Sequence, residues 1–194
     1  MSKPNIILII LDTVRAHNLS CYGYPRVTTP YLDSFCNGAH RFTSAFTPAV
    51  WTIPSHASLF TGTYPSKHGA LNLHRYLNDD HTTLARLLSS RGYQTAAFSN
   101  NFFLSVEDFG LNRGFQRIEG KQNRNDFFSR ILNKGIRVLT RSEDSGAAYT
   151  NKNIRQWIRH GRDVDHPFFL FINYMEAHAP YLHLPRKYIA QFLS

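Results

Sequence analysis

Two apolar runs stand at opposite ends of this chain: IILIIL at residues 6–11 and HPFFLFINYM at 166–175. Each has the length of a strand, and neither alternates with polar residues. That is the pattern of strands covered on both faces, which occur in parallel sheets layered between helices. Between them, TTLARLLSSRGYQTAAFS reads as a capped helix, a stop at Gly92 and a further strand through Ala97 and Phe98. The expected fold is α/β, a mostly parallel sheet flanked by helices. At 194 residues the chain is long enough for a sizeable core in one domain, taken as 1–194.

In open α/β sheets, ligands bind at the carboxyl ends of the strands. Asp12 follows the first run, Asn100 and Asn101 follow the middle strand, and Glu176 and His178 follow the last run. A parallel sheet brings such positions to one edge. Each also has a structural reading, as a turn or helix cap or a strand-end histidine.

The stretch AVWTIPSHASLFTG, residues 49–62, adds a second kind of feature. Pro54 suits the start of a helix because its ring pre-sets φ and its missing N–H needs no intrahelical partner. A helix starting there places Thr52 just before its N-terminus, where backbone N–H groups and the helix dipole favour an anion. A hydroxyl at that place can attack an anionic ester. The alternative is an ordinary cap by Thr52 or Ser55.

The remaining segments frame these residues. YLDSFC reads as a short helix among turns, Phe127 to Leu139 recurs at helical spacing, and Ala147 to Ile158 forms another amphipathic helix. Asp79 and Asp80 precede a helix and are assigned to its N-terminus.

The formal net charge of +9 raises nucleic-acid binding, since clustered cations are the footprint of phosphate recognition. Much of the excess lies between Arg113 and Arg141, but no helix-turn-helix, zinc-finger or RNP-like pattern accompanies it. A solvated helix face is the preferred reading, and nucleic acid is not an expected partner. Cys21 and Cys36 belong to no metal-ligand spacing and are read as reduced packing residues. The apolar run at 6–11 is too short to cross a bilayer, so the expectation is a cytoplasmic protein without a membrane partner. No Walker, G-x-G-x-x-G or H-E-x-x-H motif occurs.

Four stretches, in order, carry a resemblance: PNIILIILDTVRAHNLSCYGYPRVTTPYLD, TPAVWTIPSHASLFTGTYPSKHG, LLSSRGYQTAAFSNN and PFFLFINYMEAHAPY. Together they resemble the sulfatase family, a branch of the alkaline phosphatase superfamily. The resemblance implies the N-terminal part of that fold and hydrolysis of sulfate esters. Sulfatases convert a cysteine or serine before x-Pro-Ser-Arg to formylglycine, and Thr52 stands there. Threonine cannot give that aldehyde, so the resemblance implies direct attack by its hydroxyl with help from a divalent metal ion. Calcium is the first expectation for that ion, with magnesium, manganese or zinc as alternatives.

By the same matching, Asp12 falls on a metal-binding aspartate, although Thr13 replaces the second aspartate that often follows it. His178 falls on a histidine that contacts the substrate's anionic group and acts on the leaving oxygen. His56 replaces the motif arginine, and Asn100 and Asn101 stand where many sulfatases place a lysine and a histidine. Ser55, His56, Asn100 and Asn101 form the implied substrate-binding group for a small anionic ester.

Family members continue to an Asp-His-Gly segment that completes the metal site, and nothing of that kind follows Pro185. The expectation is therefore an N-terminal fragment or a shortened relative. Two further functions stay open: a phosphate or phosphonate ester hydrolase or phosphotransferase of the same superfamily, and a non-catalytic relative that binds an anion or a partner.

Overall fold

The computed structural model describes residues 3–105, 107–120, 146–179 and 190. The helix expected around Phe127 to Leu139, most of the basic stretch and the segment after Pro185 lie outside the described residues. The chain divides into two compact units, one made of residues 1–12 with 48–194 and the other of residues 13–47.

The elements in chain order are β1 (Ile6–Leu11), α1 (Pro30–Cys36), α2 (Thr52–Thr61), α3 (Pro65–His68), α4 (Leu84–Ser90), β2 (Gln94–Ser99), α5 (Phe102–Ser105), β3 (Arg117–Glu119), α6 (Ala147–Gln156) and β4 (Phe168–Tyr174). The four strands form one sheet in the order β1-β4-β2-β3. Every pairing is parallel, with Ile10 opposite Asn173 and Ser99 opposite Asn173. All strands therefore present their carboxyl ends to the same edge, as the apolar runs predict.

Alternation along the strands builds two cores. Ala97, Phe169 and Phe171 face Ile53, Ala57 and Phe60 of α2. Ala96, Phe98, Phe168, Leu170 and Ile172 face the other way, against Ile154 of α6 and Trp157 in the π-helical turn that follows it. Aromatic edges knit the first core: Phe60 lies 5.0 Å from Phe171 at 80°, an edge-to-face geometry.

One expectation fails at β1. Its apolar run predicts burial on both faces, whereas exposure alternates, and Ile7, Ile9 and Leu11 are exposed. The reason is position: β1 is the outer strand of the described sheet, and Ile6, Leu8 and Ile10 alone pack against the first core. The hydrophobic run is that of an interior strand, but among the described residues only one face is covered.

Local sequence explains the helices that frame the site. Thr83 caps α4 by accepting a hydrogen bond from the Arg86 N–H at 3.2 Å, and the turn after it closes at Gly92, whose φ is 82°. Asp79 and Asp80 do not serve that N-terminus. Asp79 pairs instead with Arg113, and Asp80 lies 3.7 Å from His81. Among the described residues no helix is long and apolar enough to cross a membrane.

Candidate active site

Helix α2 begins two residues earlier than Pro54 suggests. Thr52 is its first residue, Trp51 is the cap in an extended conformation, and Pro54 takes the third position, still within the first turn where its missing N–H costs nothing. The capping alternative for the two hydroxyls does not hold. No side chain caps this end, and the Ser55 hydroxyl donates to the Thr52 carbonyl at 3.1 Å. The Thr52 hydroxyl is thus left out of helix capping. Gly62 ends the helix with φ 67°, its N–H reaching the Ser58 carbonyl at 2.8 Å.

At the carboxyl edge of the sheet, Asp12 extends the β1 ladder by donating its N–H to the Tyr174 carbonyl at 2.9 Å. Its carboxylate Oδ2 accepts from Asn101 Nδ2 at 3.0 Å and from Asn173 Nδ2 at 3.3 Å. Asn101 Nδ2 also reaches Thr52 Oγ1 at 3.3 Å. One amide therefore joins the strand-end carboxylate to the hydroxyl of α2.

The orientation of that amide is set from behind. The Phe103 N–H donates to Asn101 Oδ1 at 3.1 Å, so the NH₂ must face Asp12 and Thr52. The Asn101 N–H is held by Ser99 Oγ at 3.0 Å, and its carbonyl accepts from the Ser105 hydroxyl at 2.9 Å. Asn101 is 3% exposed, and the two bonds to its backbone are buried.

The other expected residues divide. Asn100 turns elsewhere and donates to the Thr150 hydroxyl of α6 at 3.0 Å. His178 lies in the turn after β4, where its Nδ1 contacts the Ala179 carbonyl at 2.6 Å. It makes no hydrogen bond with Asp12, Thr52 or Asn101 among the described residues. Glu176, from the same turn, accepts from the Ala147 N–H at the start of α6 at 2.8 Å.

His56 sits inside. Its ring meets Phe60 and Phe171 edge-on, with centroids 6.1 and 6.2 Å away. Nδ1 lies 2.9 Å from the Thr52 carbonyl, which can only accept, so Nδ1 carries the proton. Burial lowers the pKa of this imidazole, against the opposing pull of the Thr52 carbonyl and the Asp12 charge. Burial thus favours the neutral ring, and among the described residues its buried Nε2 has no hydrogen-bond partner. Where the family motif has a permanent cation, this chain has an uncharged ring braced against the first turn of α2.

Asn173 is the residue that sequence reasoning passes over. It is 0% exposed, touches the Asp12 carboxylate through Nδ2 and, among the described residues, leaves its own Oδ1 without a partner. A signal for it exists: 169, 171 and 173 share one face of β4, so the row of phenylalanines facing α2 ends in an amide.

The Asp12 carboxylate, the Asn173 amide oxygen and the Thr52 hydroxyl are oxygen donors, the chemistry of a site for a hard cation, whereas Asn101 presents its NH₂ and not its oxygen to Asp12 and Thr52. The buried Asn173 Oδ1, unpaired among the described residues, fits that chemistry. The charge present is a single carboxylate, and no group of three or more His, Cys, Asp or Glu side chains gathers among the described residues. Immediately after Asp12, Thr13 has φ 61°, a conformation that β-branched residues rarely adopt.

In an open α/β sheet such a strand-end edge, here acidic and amide-rich beside a helix-borne hydroxyl, is where ligands bind. The chain belongs to the sulfatase family, whose model matches residues 4–193. It is 35% identical to human arylsulfatase A over 133 residues, 60% of this chain and 25% of that protein. Among solved structures it superposes on the phosphonate monoester hydrolase of Agrobacterium radiobacter with a TM-score of 0.74 at 22% identity, covering 94% of this chain and 42% of that one. A structure solved with its substrate D-glucosamine-2-N,6-O-disulfate gives 0.68 at 23% identity, covering 95% and 37%. The chain spans 25% to 32% of the length of the first curated relatives it matches.

Proposed function

We propose that this chain carries the nucleophile half of a metal-assisted hydrolase of small anionic esters, sulfate esters first, with Thr52 as the attacking residue. The observation that carries the reading is the single amide of Asn101 bound to both Asp12 Oδ2 and Thr52 Oγ1. It aims the hydroxyl from a fixed direction, at the positive end of a ten-residue helix. Likeness to the sulfatases supports an ester of an oxyanion as the substrate class.

In this reading Thr52 Oγ attacks the sulfur or phosphorus atom, the bond to the alcohol oxygen breaks, and water later releases the anion from the threonine ester. Asn101 donates to the Thr52 oxygen and, through Asp12, fixes its own placement. His178, on the turn after β4, is assigned by likeness to the sulfatases to protonate the leaving alcohol. Asp12 and the free Oδ1 of Asn173 are the groups of this chain that would hold the cation. A hard divalent ion bound there supplies positive charge against the ester oxygens and lowers the pKa of the hydroxyl.

Thr52 itself favours a second reading, phosphate or phosphonate monoesters, because an unmodified hydroxyl serves phosphoryl transfer directly. Turnover of 4-nitrophenyl sulfate and 4-nitrophenyl phosphate by the full protein, with calcium or magnesium, tests both. Thr52→Ala is expected to lower kcat/KM by at least ~10²-fold on the preferred ester. Unaltered turnover by that variant refutes Thr52 as nucleophile, and no turnover of either ester by the parent favours a binding role.

A further inference from the structure

We propose that Cys21 and Cys36 form a reversible disulfide inside the 13–47 unit, a thiol modification site independent of the ester chemistry. These are the chain's two cysteines, and the structure describes both as free thiols, half-buried. Cys21 lies in the 3₁₀ turn Ser20–Tyr22, and Cys36 is the last residue of α1.

Polar bonds hold these two elements face to face. Ser20 Oγ accepts from the Thr28 and Thr29 N–H groups at 3.1 and 3.0 Å and donates to Asp33 Oδ2 at 2.7 Å. Asp33 and Cys36 are three residues apart on α1, hence on one face. The Ser20 to Asp33 bond therefore sets the turn that carries Cys21 against the helix end that carries Cys36. Both line one cavity of about 520 Å³, together with Asp33, Asn37 and Arg41.

The cavity also admits a reagent and carries a cation. Arg41 donates to the Cys21 carbonyl. Burial and then the neighbouring Cys21 push the Cys36 thiol up, with the Arg41 charge opposing, so Cys21 is the thiol assigned to attack first. The oxidant we assign is a small anionic disulfide of the glutathione class. The Cys21 thiolate attacks one sulfur of that disulfide, forming a mixed disulfide and expelling one thiolate. The Cys36 thiolate then attacks the Cys21 sulfur and expels the second. Two protons leave the cysteines, two electrons pass to the oxidant, and its S–S bond becomes two thiols.

The test is to equilibrate the protein in an oxidised and reduced glutathione buffer, alkylate the remaining thiols and digest with trypsin without reduction. Cleavage after Arg15, Arg26 and Arg41 places the cysteines in separate peptides, 16–26 and 27–41. The expected product is these two peptides joined through sulfur, at an equilibrium ratio at least about tenfold higher in the folded protein than in guanidinium chloride. Cys36→Ser is expected to trap one glutathione on Cys21. Peptides that stay free, peptides that each carry their own glutathione, or a linkage no more favourable when folded than when unfolded overturn the proposal. A Cys36→Ser protein that takes up no glutathione removes Cys21 from the attacking role.

Discussion

Asn101 is the point at which a small chemical change gives the most informative failure. Replacement by alanine removes its bond to the Asp12 carboxylate, a charge-assisted bond worth about 1.5–3 kcal/mol, and its capping of the Phe103 N–H, worth ~1 kcal/mol. The expected loss is about 3 kcal/mol of folding stability. Asn101→Asp keeps the acceptor for Phe103 but puts a carboxylate oxygen where the amide nitrogen stood, 3.0 Å from Asp12 Oδ2. At an effective dielectric constant of ~20, two charges at that separation repel by about 5–6 kcal/mol.

The nearly isosteric variant is therefore expected to be the worse of the two. Urea denaturation followed by tryptophan fluorescence, at alkaline pH with a chelator present, gives the order directly. In turnover, both variants lose the donor that aims Thr52, and a fall of about 10- to 100-fold in kcat is expected. An aspartate variant as stable as the parent would refute the reasoning, because it would mean that the amide does not present its NH₂ to Asp12.

Two further outcomes test the frame around the site. His68 is 1% exposed; its Nδ1 accepts the Ala70 N–H at 3.1 Å, so its Nε2–H faces Ser58 Oγ at 3.0 Å. Burial, then the charge of His81, lower its pKa from the ordinary 6.5, with the Pro54 carbonyl opposing. The unfolded chain then binds more protons below that value, so this histidine's share of stability is present above about pH 6.5 and falls as the pH drops further. Urea midpoints measured across that range should show the slope, and His68→Gln should flatten it. At Gly120, an added Cβ would lie 2.0 Å from the Ser99 carbonyl oxygen and 2.7 Å from Ser105 Oγ. Gly120→Ala must push the strand end that leads into Asn101, so turnover should drop together with the melting temperature; a variant with parental turnover would show that this strand end does not position the site.

Much of the frame was legible in the residues. Apolar runs marked β1 and β4, and the stop at Gly92 marked the strand that follows it, β2. The capped pattern of TTLARLLSS and the stop at Gly92 marked α4, because capping and left-handed backbone are local chemistry. Pro54 pointed to α2 but misplaced its start by two residues, since proline is tolerated anywhere in the first turn.

Within the site, sequence order offered Asn100 and Asn101 as equals. The structure separates them, since one turns to α6 and the other to Asp12 and Thr52. The protonation of His56 was equally invisible. It follows from a carbonyl 2.9 Å away and from two phenylalanine rings that come from α2 and β4.

What the sequence determined by itself is a set of local commitments: which segments are strands, where helices stop, and that a hydroxyl, a carboxylate and amides sit at element ends. Those depend on periodicity, caps and turns, whose energetics are settled within a few residues. Which of these groups meet was decided by the tertiary structure alone. Asp12, Asn101 and Asn173 are separated by up to 161 positions, and only the parallel register that places β4 between β1 and β2 brings them to one carboxylate. The covering of β1 belongs to the same level, because burial depends on what packs against a strand and not on how apolar it is.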